Sequence, residues 1–181
     1  MASASARCEH YKRFCKILAP CCSNVYSCHI CHDEKENHPL DRYKIKQLIC
    51  NKCNNIQDAT SDRCNMCRVI FGQYACLYCF IFDDNPKGQF HCFGCGLCRV
   101  GGEENYFHCK KCEMCYALRL MNNHKCVEKC VAGDCSVCTE SLNTSCRQLY
   151  LPPCGHILHE NCYEQLRSND FTQCIVCKAH F

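Results

Sequence analysis

The sequence predicts small, irregular, loop-rich domains with short β-hairpins, held together by bound metal more than by an oily core. Three observations carry that reading. Cysteine supplies 27 of 181 residues, far above ordinary usage. The Cys-x-x-Cys spacing recurs along the chain, from Cys28 and Cys31 to Cys174 and Cys177. Ten histidines are interleaved with those pairs. Two thiolates at that spacing reach one tetrahedral ion from a tight turn, and imidazole is the other preferred ligand of zinc. A disulfide framework would give the histidines no role.

The thin core points the same way. The apolar share of 48% counts cysteine, and without its 27 cysteines the share falls to about a third of the chain. Small domains with so little to bury need metals or disulfides as staples. Met1 to Arg7 contains no apolar run of the signal-peptide kind, so secretion is not expected. Disulfides do not persist in the reducing cytoplasm or nucleus, the expected locations. The longest uncharged apolar stretch, Val69 to Phe82, is too short for the roughly 20 residues of a membrane-spanning helix.

The formal charge of +3 describes the metal-free chain. Ligating thiols give up their protons, so the metal-loaded chain is expected to be mildly acidic. That argues against a surface that tracks nucleic-acid phosphates. The basic runs Arg42, Lys44, Lys46 and Lys110, Lys111 are short and read as solvated faces. No Cys2His2 spacing with its DNA-reading helix occurs.

Candidate ligands fall into three blocks. Residues 1–7 are expected to be disordered, 8–67 and 68–126 to hold three zinc ions each, 127–134 to link, 135–177 to hold two, and 178–181 to form a tail. In the first block, spacing joins Cys8 and His10 to Cys28 and Cys31, and Cys21 and Cys22 to His32 and His38, as two interleaved sites. Cys50, Cys53, Cys64 and Cys67 make a sequential third. Asp41 to Ile49 is expected to form a short strand or a turn of helix.

The second block repeats itself. His91-Cys92-x2-Cys95-x2-Cys98 recurs as His108-Cys109-x2-Cys112-x2-Cys115, which suggests a stacked or spiral arrangement. Neighbours such as His91 and Cys92 point opposite ways in extended chain and are expected to feed different ions. The expected sets are Cys76, Cys79, Cys92, Cys95; then His91, Cys98, Cys109, Cys112; then His108, Cys115, His124, Cys126. With the third block this makes eight four-ligand sites. Cys15, Cys130, Cys146, His29 and His180 are left over, the cysteines as packed or solvent-facing thiols and not as nucleophiles.

The third block reads Cys135-x2-Cys138-x15-Cys154-x-His156-x2-His159-x2-Cys162-x11-Cys174-x2-Cys177. Every spacing resembles that of a RING finger with two central histidines. The resemblance implies a cross-brace, with Cys135, Cys138, His159 and Cys162 on one zinc and Cys154, His156, Cys174 and Cys177 on the other. It also implies a single helix over Glu160 to Arg167. RING fingers recruit a ubiquitin-conjugating enzyme and orient its ubiquitin thioester for attack without supplying a nucleophile. By that analogy Val137, Leu166, Ile175 and Lys178 are the expected contacts to the conjugating enzyme. Leu166 stands where many RINGs carry Trp, Ile175 replaces the usual Pro, and Lys178 stands where many carry Arg.

Cys8-Glu9-His10-Tyr11, the pair Cys21-Cys22 and Cys28-x2-Cys31-His32 together resemble a CHY zinc finger. The doubled His-Cys unit resembles the zinc region that follows it in some proteins. The combination resembles the RING finger and CHY zinc finger ubiquitin ligases, over Cys8 to Cys177. The family implies that the N-terminal blocks bind protein substrates and that ubiquitin and a conjugating enzyme are partners. Its longer members carry another zinc segment after the RING, which this sequence, ending at Phe181, is expected to lack. Two further readings use the same residues: an inactive adaptor or decoy for the same partners, and a nucleic-acid-binding zinc protein.

Overall fold

The computed structural model describes residues 8–128, 133–142 and 149–181. Residues 1–7, with their expected disorder, and Cys130 and Cys146 lie outside the described residues. The chain forms two compact units. The first holds the described residues up to His91 with Leu97–Gly101, and the second holds Cys92–Gly96 with the described residues from Gly102 to Phe181. The boundary therefore runs through the second ligand block.

The first unit is built on a four-stranded sheet, in the order β2-β1-β3-β4. Its strands are β1 (Cys15–Leu18), β2 (Val25–Tyr26), β3 (Gln47–Cys50) and β4 (Ile56–Asp58). In β1 and β3 alternate residues are buried, which puts Cys15, Ile17, Leu48 and Cys50 on one face. The strands are antiparallel, with Cys15 opposite Cys50 and Ile17 opposite Leu48. Ile17, Leu48, Phe71 and Phe82 are fully buried, each stabilising by about 1.5–3 kcal/mol. Phe71 and Phe82 meet edge to face at 5.8 Å.

Between β2 and β3 lies α1 (His29–Asp33), a helix that the sequence did not suggest. It starts because the Cys28 sulfur accepts from the Cys31 amide at 3.3 Å, as an N-cap does. The segment Asp41 to Ile49 divides into a 3-10 turn at Arg42–Lys44 and the start of β3. Two hairpins follow, from β5 (Tyr74–Cys76), β6 (Ile81–Asp83), β7 (Phe90–Cys92) and β8 (Leu97–Arg99). Asp83 is fully buried and anchors its surroundings, accepting from the amides of Lys12 and Asn85, from Lys87 Nζ and from Gln89 Nε2. Those donors hold its carboxyl below the usual range despite the opposing effect of burial.

The second unit has only two-stranded pieces among its described residues: β9 (Tyr106–Cys109) with β10 (Met114–Ala117), and β11 (Leu149–Tyr150) with β12 (Leu158–His159). Its longest element is α2 (Glu160–Ser168). One core runs through all of it, joining Met114 and Tyr116 of β10 to Leu142, Ile157, Leu158 and Leu166. At Gly155, φ 86°, the chain passes close to itself. A Cβ there would lie 2.7 Å from Val127 Cγ2 and 2.8 Å from the Lys125 carbonyl.

Candidate metal centres

One turn recurs in both units. After seven of the Cys-x-x-Cys pairs the next residue takes a left-handed conformation: Asn54, Arg68, Phe80, Gly96, Glu113, Thr139 and Lys178. That conformation turns the chain back so that both sulfurs face one point, and amides then point at the first sulfur. The amides of Lys52, Cys67, Cys79 and Cys95 lie 3.4–3.5 Å from the sulfurs of Cys50, Cys64, Cys76 and Cys92. Such donors favour the thiolate.

In the first block the structure brings together Cys8, His10, Cys28 and Cys31; Cys21, Cys22, His32 and His38; and Cys50, Cys53, Cys64 and Cys67. The first two sets interleave across α1, and adjacent carboxylates fix their histidines. His10 turns Nδ1 to Cys28 and Cys31, both at 3.5 Å, and Nε2 to Glu34 at 3.1 Å. His32 turns Nε2 to Cys21 at 3.2 Å and Nδ1 to Asp33 at 2.9 Å. A carboxylate on the far nitrogen selects the tautomer and raises ligand basicity.

In the second block the grouping differs from the spacing-based expectation. Cys76 and Cys79 are joined by His91 and Cys98, not by Cys92 and Cys95. Cys92 and Cys95 are joined by His108 and Cys115. Cys109 and Cys112 have His124 and Cys126 as neighbours: Cys109 lies 3.8 Å from Cys126, and His124 Nε2 lies 3.6 Å from Cys112 and 3.3 Å from Cys126. The reason lies in the hairpins. In β7–β8 the pair Cys92 and Cys95 forms the tip, while His91 and Cys98 stand at the base and face back to the previous pair. The first two knuckles of this block are thus each completed by residues flanking the next. Gly94 is required here, since a Cβ would meet the His108 ring at 2.5 Å.

In the third block His159 Nδ1 lies 3.3 Å from Cys138 and 4.0 Å from Cys162, and Cys162 also neighbours Cys135. Cys154 neighbours Cys174 and Cys177. His156 has a buried Nδ1 with no hydrogen-bond partner, as does His38 at Nε2.

These sets suit zinc. Zinc bonds of about 2.3 Å to sulfur and 2.0–2.1 Å to nitrogen give tetrahedral edges of about 3.8 Å between sulfurs and about 3.5 Å from sulfur to nitrogen. The observed sulfur–sulfur distances are 3.4–3.8 Å. Sulfur-to-imidazole distances run from 3.2 to 4.0 Å. A disulfide needs about 2.05 Å, and the described cysteines are free thiols. Crowding alone would drive these thiols apart in acidity: hydrogen bonds with Cys79 and Cys98 push Cys76 down, and those with Cys76 and Cys79 push Cys98 up. Five four-residue sets and three further groups of potential ligands occur among the described residues.

Of the described leftover residues, Cys15, His29 and His180 are in none of the sets named above. Cys15 has no exposed surface, and burial pushes its thiol up to about 12. His29 is pushed down to about 4 by burial and then by Arg42 and Arg13. His180 bridges Gln173. Of the expected conjugating-enzyme contacts, Ile175 is 38% exposed and Lys178 is exposed, Val137 is half-buried, and Leu166 is turned into the core. Val176 and Phe171, each 57% exposed, are apolar surface that sequence reasoning passed over. The position of Val176 between two ligands was the available signal.

Comparison with known proteins adds the family. The CHY zinc finger matches residues 8–74, and a RING-like zinc finger matches residues 134–163. The E3 ubiquitin-protein ligase SRFP1 of Oryza sativa subsp. japonica is 40% identical over 173 residues, 94% of this chain and 66% of that protein. The chain belongs to the CHY and RING zinc finger family. A BRUTUS-like zinc finger protein of Arabidopsis thaliana is 42% identical over 173 residues, which make up 94% of this chain but 14% of that protein. The E3 ubiquitin-protein ligase RZFP34 of the same plant is 40% identical over 180 residues, covering 94% of this chain and 62% of the relative. The chain thus spans at most about two thirds of the length of these family members. No helix among the described residues is long and apolar enough to cross a membrane.

Proposed function

We propose that this chain is a RING-type ubiquitin-protein ligase. The observation that carries the reading is an exposed apolar knuckle, Ile175 and Val176 with Lys178 beside them, in the segment that follows the RING-like match at residues 134–163, in a chain similar to relatives named as ligases. The knuckle recruits a ubiquitin-conjugating enzyme, and Val137 extends the contact. Leu166 forms the floor of that surface and not its face. The chain supplies no nucleophile. It holds the thioester in an attack-ready geometry, so its catalysis is orientation. Zinc, when bound, supplies fixed geometry and charge neutralisation for the thiolates. The two-histidine cross-brace is the arrangement proposed for 135–177, and the CHY and middle regions are proposed to bind protein substrates. The proposed setting is the cytoplasm or nucleus, where thiols stay reduced.

Eight zinc ions are proposed, and native mass spectrometry beside the denatured mass counts them. A count near two would confine metal to the RING-like finger. Activity is tested by autoubiquitination with a panel of conjugating enzymes and by discharge of a loaded one. The burial of Leu166, with Lys in place of Arg at position 178, favours a second reading, an adaptor without transferase activity. Discharge no faster than from the conjugating enzyme alone would select it.

A further inference from the structure

Tyr74 stands two residues before Cys76, at the start of β5, and the hairpin pairs it with the buried Asp83. Its ring packs with Tyr11, Cys98 and the buried Cys76, Cys79 and Ile81. Its hydroxyl donates to the Cys98 sulfur at 3.1 Å. The amide-to-sulfur contacts of the Cys-x-x-Cys turns are longer, at 3.3–3.5 Å. Cys98 joins the Cys76, Cys79 and His91 set from β8, and the hydroxyl gives it the kind of donor that Cys76 takes from the Cys79 amide.

The repeat supplies a contrast. The next two knuckles carry Phe90 and Phe107 two residues before Cys92 and Cys109. Packing asks for a ring at this position, and the first knuckle adds a hydroxyl to it. Tyr26 also lies beside a ligand, its oxygen 3.8 Å from Cys22 Sγ, but its hydroxyl donates to Glu36.

We propose that Tyr74 is a positioning residue for the Cys76, Cys79, His91 and Cys98 centre, its hydroxyl donating to the Cys98 thiolate so that this sulfur stays on the ion and reacts slowly with electrophiles. The inference rests on the zinc reading above. Three thiolates and a neutral imidazole around divalent zinc leave one net negative charge, carried largely on sulfur. A hydrogen bond to a charged acceptor is the stronger kind, and it draws electron density off the sulfur that an electrophile would attack. It also fixes the direction of the thiolate, as an outer-sphere carboxylate fixes a ligating histidine.

The test is Tyr74→Phe, which removes one oxygen and installs the ring that the next two knuckles carry. Zinc-loaded full chain is exposed to a chelator with N-ethylmaleimide, and alkylation is mapped by peptide mass. Cys98 is expected to alkylate about tenfold or more faster in the variant, the usual effect of losing an outer-sphere partner. Cys92, Cys95 and Cys115 should keep their wild-type protection. Cobalt-loaded chain gives a second readout. The sulfur-to-cobalt charge-transfer absorption should move to lower energy in Tyr74→Phe, because a thiolate without its donor gives up an electron more readily. Faster alkylation with an unmoved band would mean loosened packing and overturns the proposal. Cys98 reacting at the wild-type rate overturns it too, as does an equal loss of protection at Cys92, Cys95 and Cys115, which would make Tyr74 a support of the fold. Alkylation of Cys76, Cys79 and Cys98 in the wild type before any chelator is added would overturn the zinc reading itself, and the proposal with it.

Discussion

The four-cysteine finger of the first unit and the RING-like finger of the second use one knuckle for different ends. In residues 62–71 the Cys64 amide donates to the Val69 carbonyl, Arg68 donates back to Cys64, and Phe71 donates to Asp62. Residues 133–142 repeat the pattern with Cys135, Glu140, Thr139, Leu142 and Gly133, and residues 172–181 with Cys174, Ala179, Lys178, Phe181 and Thr172. A β-bridge closes each turn, at Arg63 with Ile70, Asp134 with Ser141, and Gln173 with His180. The closing side chains, Phe71, Leu142 and Phe181, pack inward. The tips differ: Asn65 and Met66 in one place, Ser136 and Val137 in the second, Ile175 and Val176 in the third. The backbone and the cysteines set the turn, and the residues between the cysteines are the ones proposed to set the partner.

The harshest way to break this comparison is to remove a ligand from each finger. Cys64→Ser and Cys174→Ser should each lose one zinc by native mass spectrometry, since a structural ion contributes about 10 kcal/mol or more to its fold. Only Cys174→Ser should abolish ubiquitin discharge. If Cys64→Ser abolishes it equally, the first unit is part of the transfer machinery and the division by tips fails.

The next contrast is between tips. Ile175→Ala should weaken recruitment of the conjugating enzyme by roughly tenfold to a hundredfold, the range for truncating an interface anchor. Zinc content should not change. Met66, 73% exposed on the equivalent turn, should tolerate Ala without effect on discharge. Equal losses from the two substitutions would mean that both knuckles face the same partner.

How much of this was legible in the sequence depends on distance along the chain. The sets of residues 8–67 group as spacing suggested, because each closes a short loop with one way to meet. The helix over Glu160 to Ser168 follows from its pattern and from its place after His159. The sheet was not legible: β1 and β3 are separated by the whole of the second site, and Cys15, which looks spare, is a core residue opposite Cys50. The middle pairing was missed for a different reason. The 17-residue repeat constrains the ligand sets more than local spacing does. Carried through, it maps Cys76, Cys79, His91 and Cys98 onto Cys92, Cys95, His108 and Cys115, to within a residue. His91→Ala checks the pairing directly. It should expose Cys76, Cys79 and Cys98 to alkylation and leave Cys92 and Cys95 protected, whereas exposure of Cys98, Cys109 and Cys112 with Cys76 and Cys79 protected would restore the spacing-based sets. The left-handed residues were invisible too, since Arg68, Thr139 and Lys178 are not the glycines that such turns favour.

A smaller effect is expected from the unused thiols. Cys15→Ala combined with Cys130→Ser and Cys146→Ser should leave transfer largely intact, because orientation needs no thioester on the ligase. A reducible ubiquitin adduct on one of the three, whose loss stops transfer, would replace orientation by covalent relay.

The finest test uses the strained residue that each knuckle shares. Arg68 and Lys178 have φ values of 61° and 60°, and both side chains are exposed. The left-handed conformation costs a residue with a Cβ roughly 1–2 kcal/mol, and glycine escapes that cost. Glycine also adds freedom to the unfolded chain, which takes back roughly 0.5–1 kcal/mol. Arg68→Gly and Lys178→Gly should therefore shift stability alike, by about 1 kcal/mol or less and toward the folded state. Thermal unfolding of the zinc-loaded chain would register both. Activity should separate them. If the ammonium of Lys178 contacts the conjugating enzyme and its ubiquitin, Lys178→Gly slows discharge although the fold is firmer, while Arg68→Gly leaves discharge unchanged. Lys178→Arg should then speed it, since a planar fork of donors orients better than a point charge. A Lys178→Gly variant that discharges as fast as wild type would remove Lys178 from the transfer surface and leave Ile175 and Val176 to carry it.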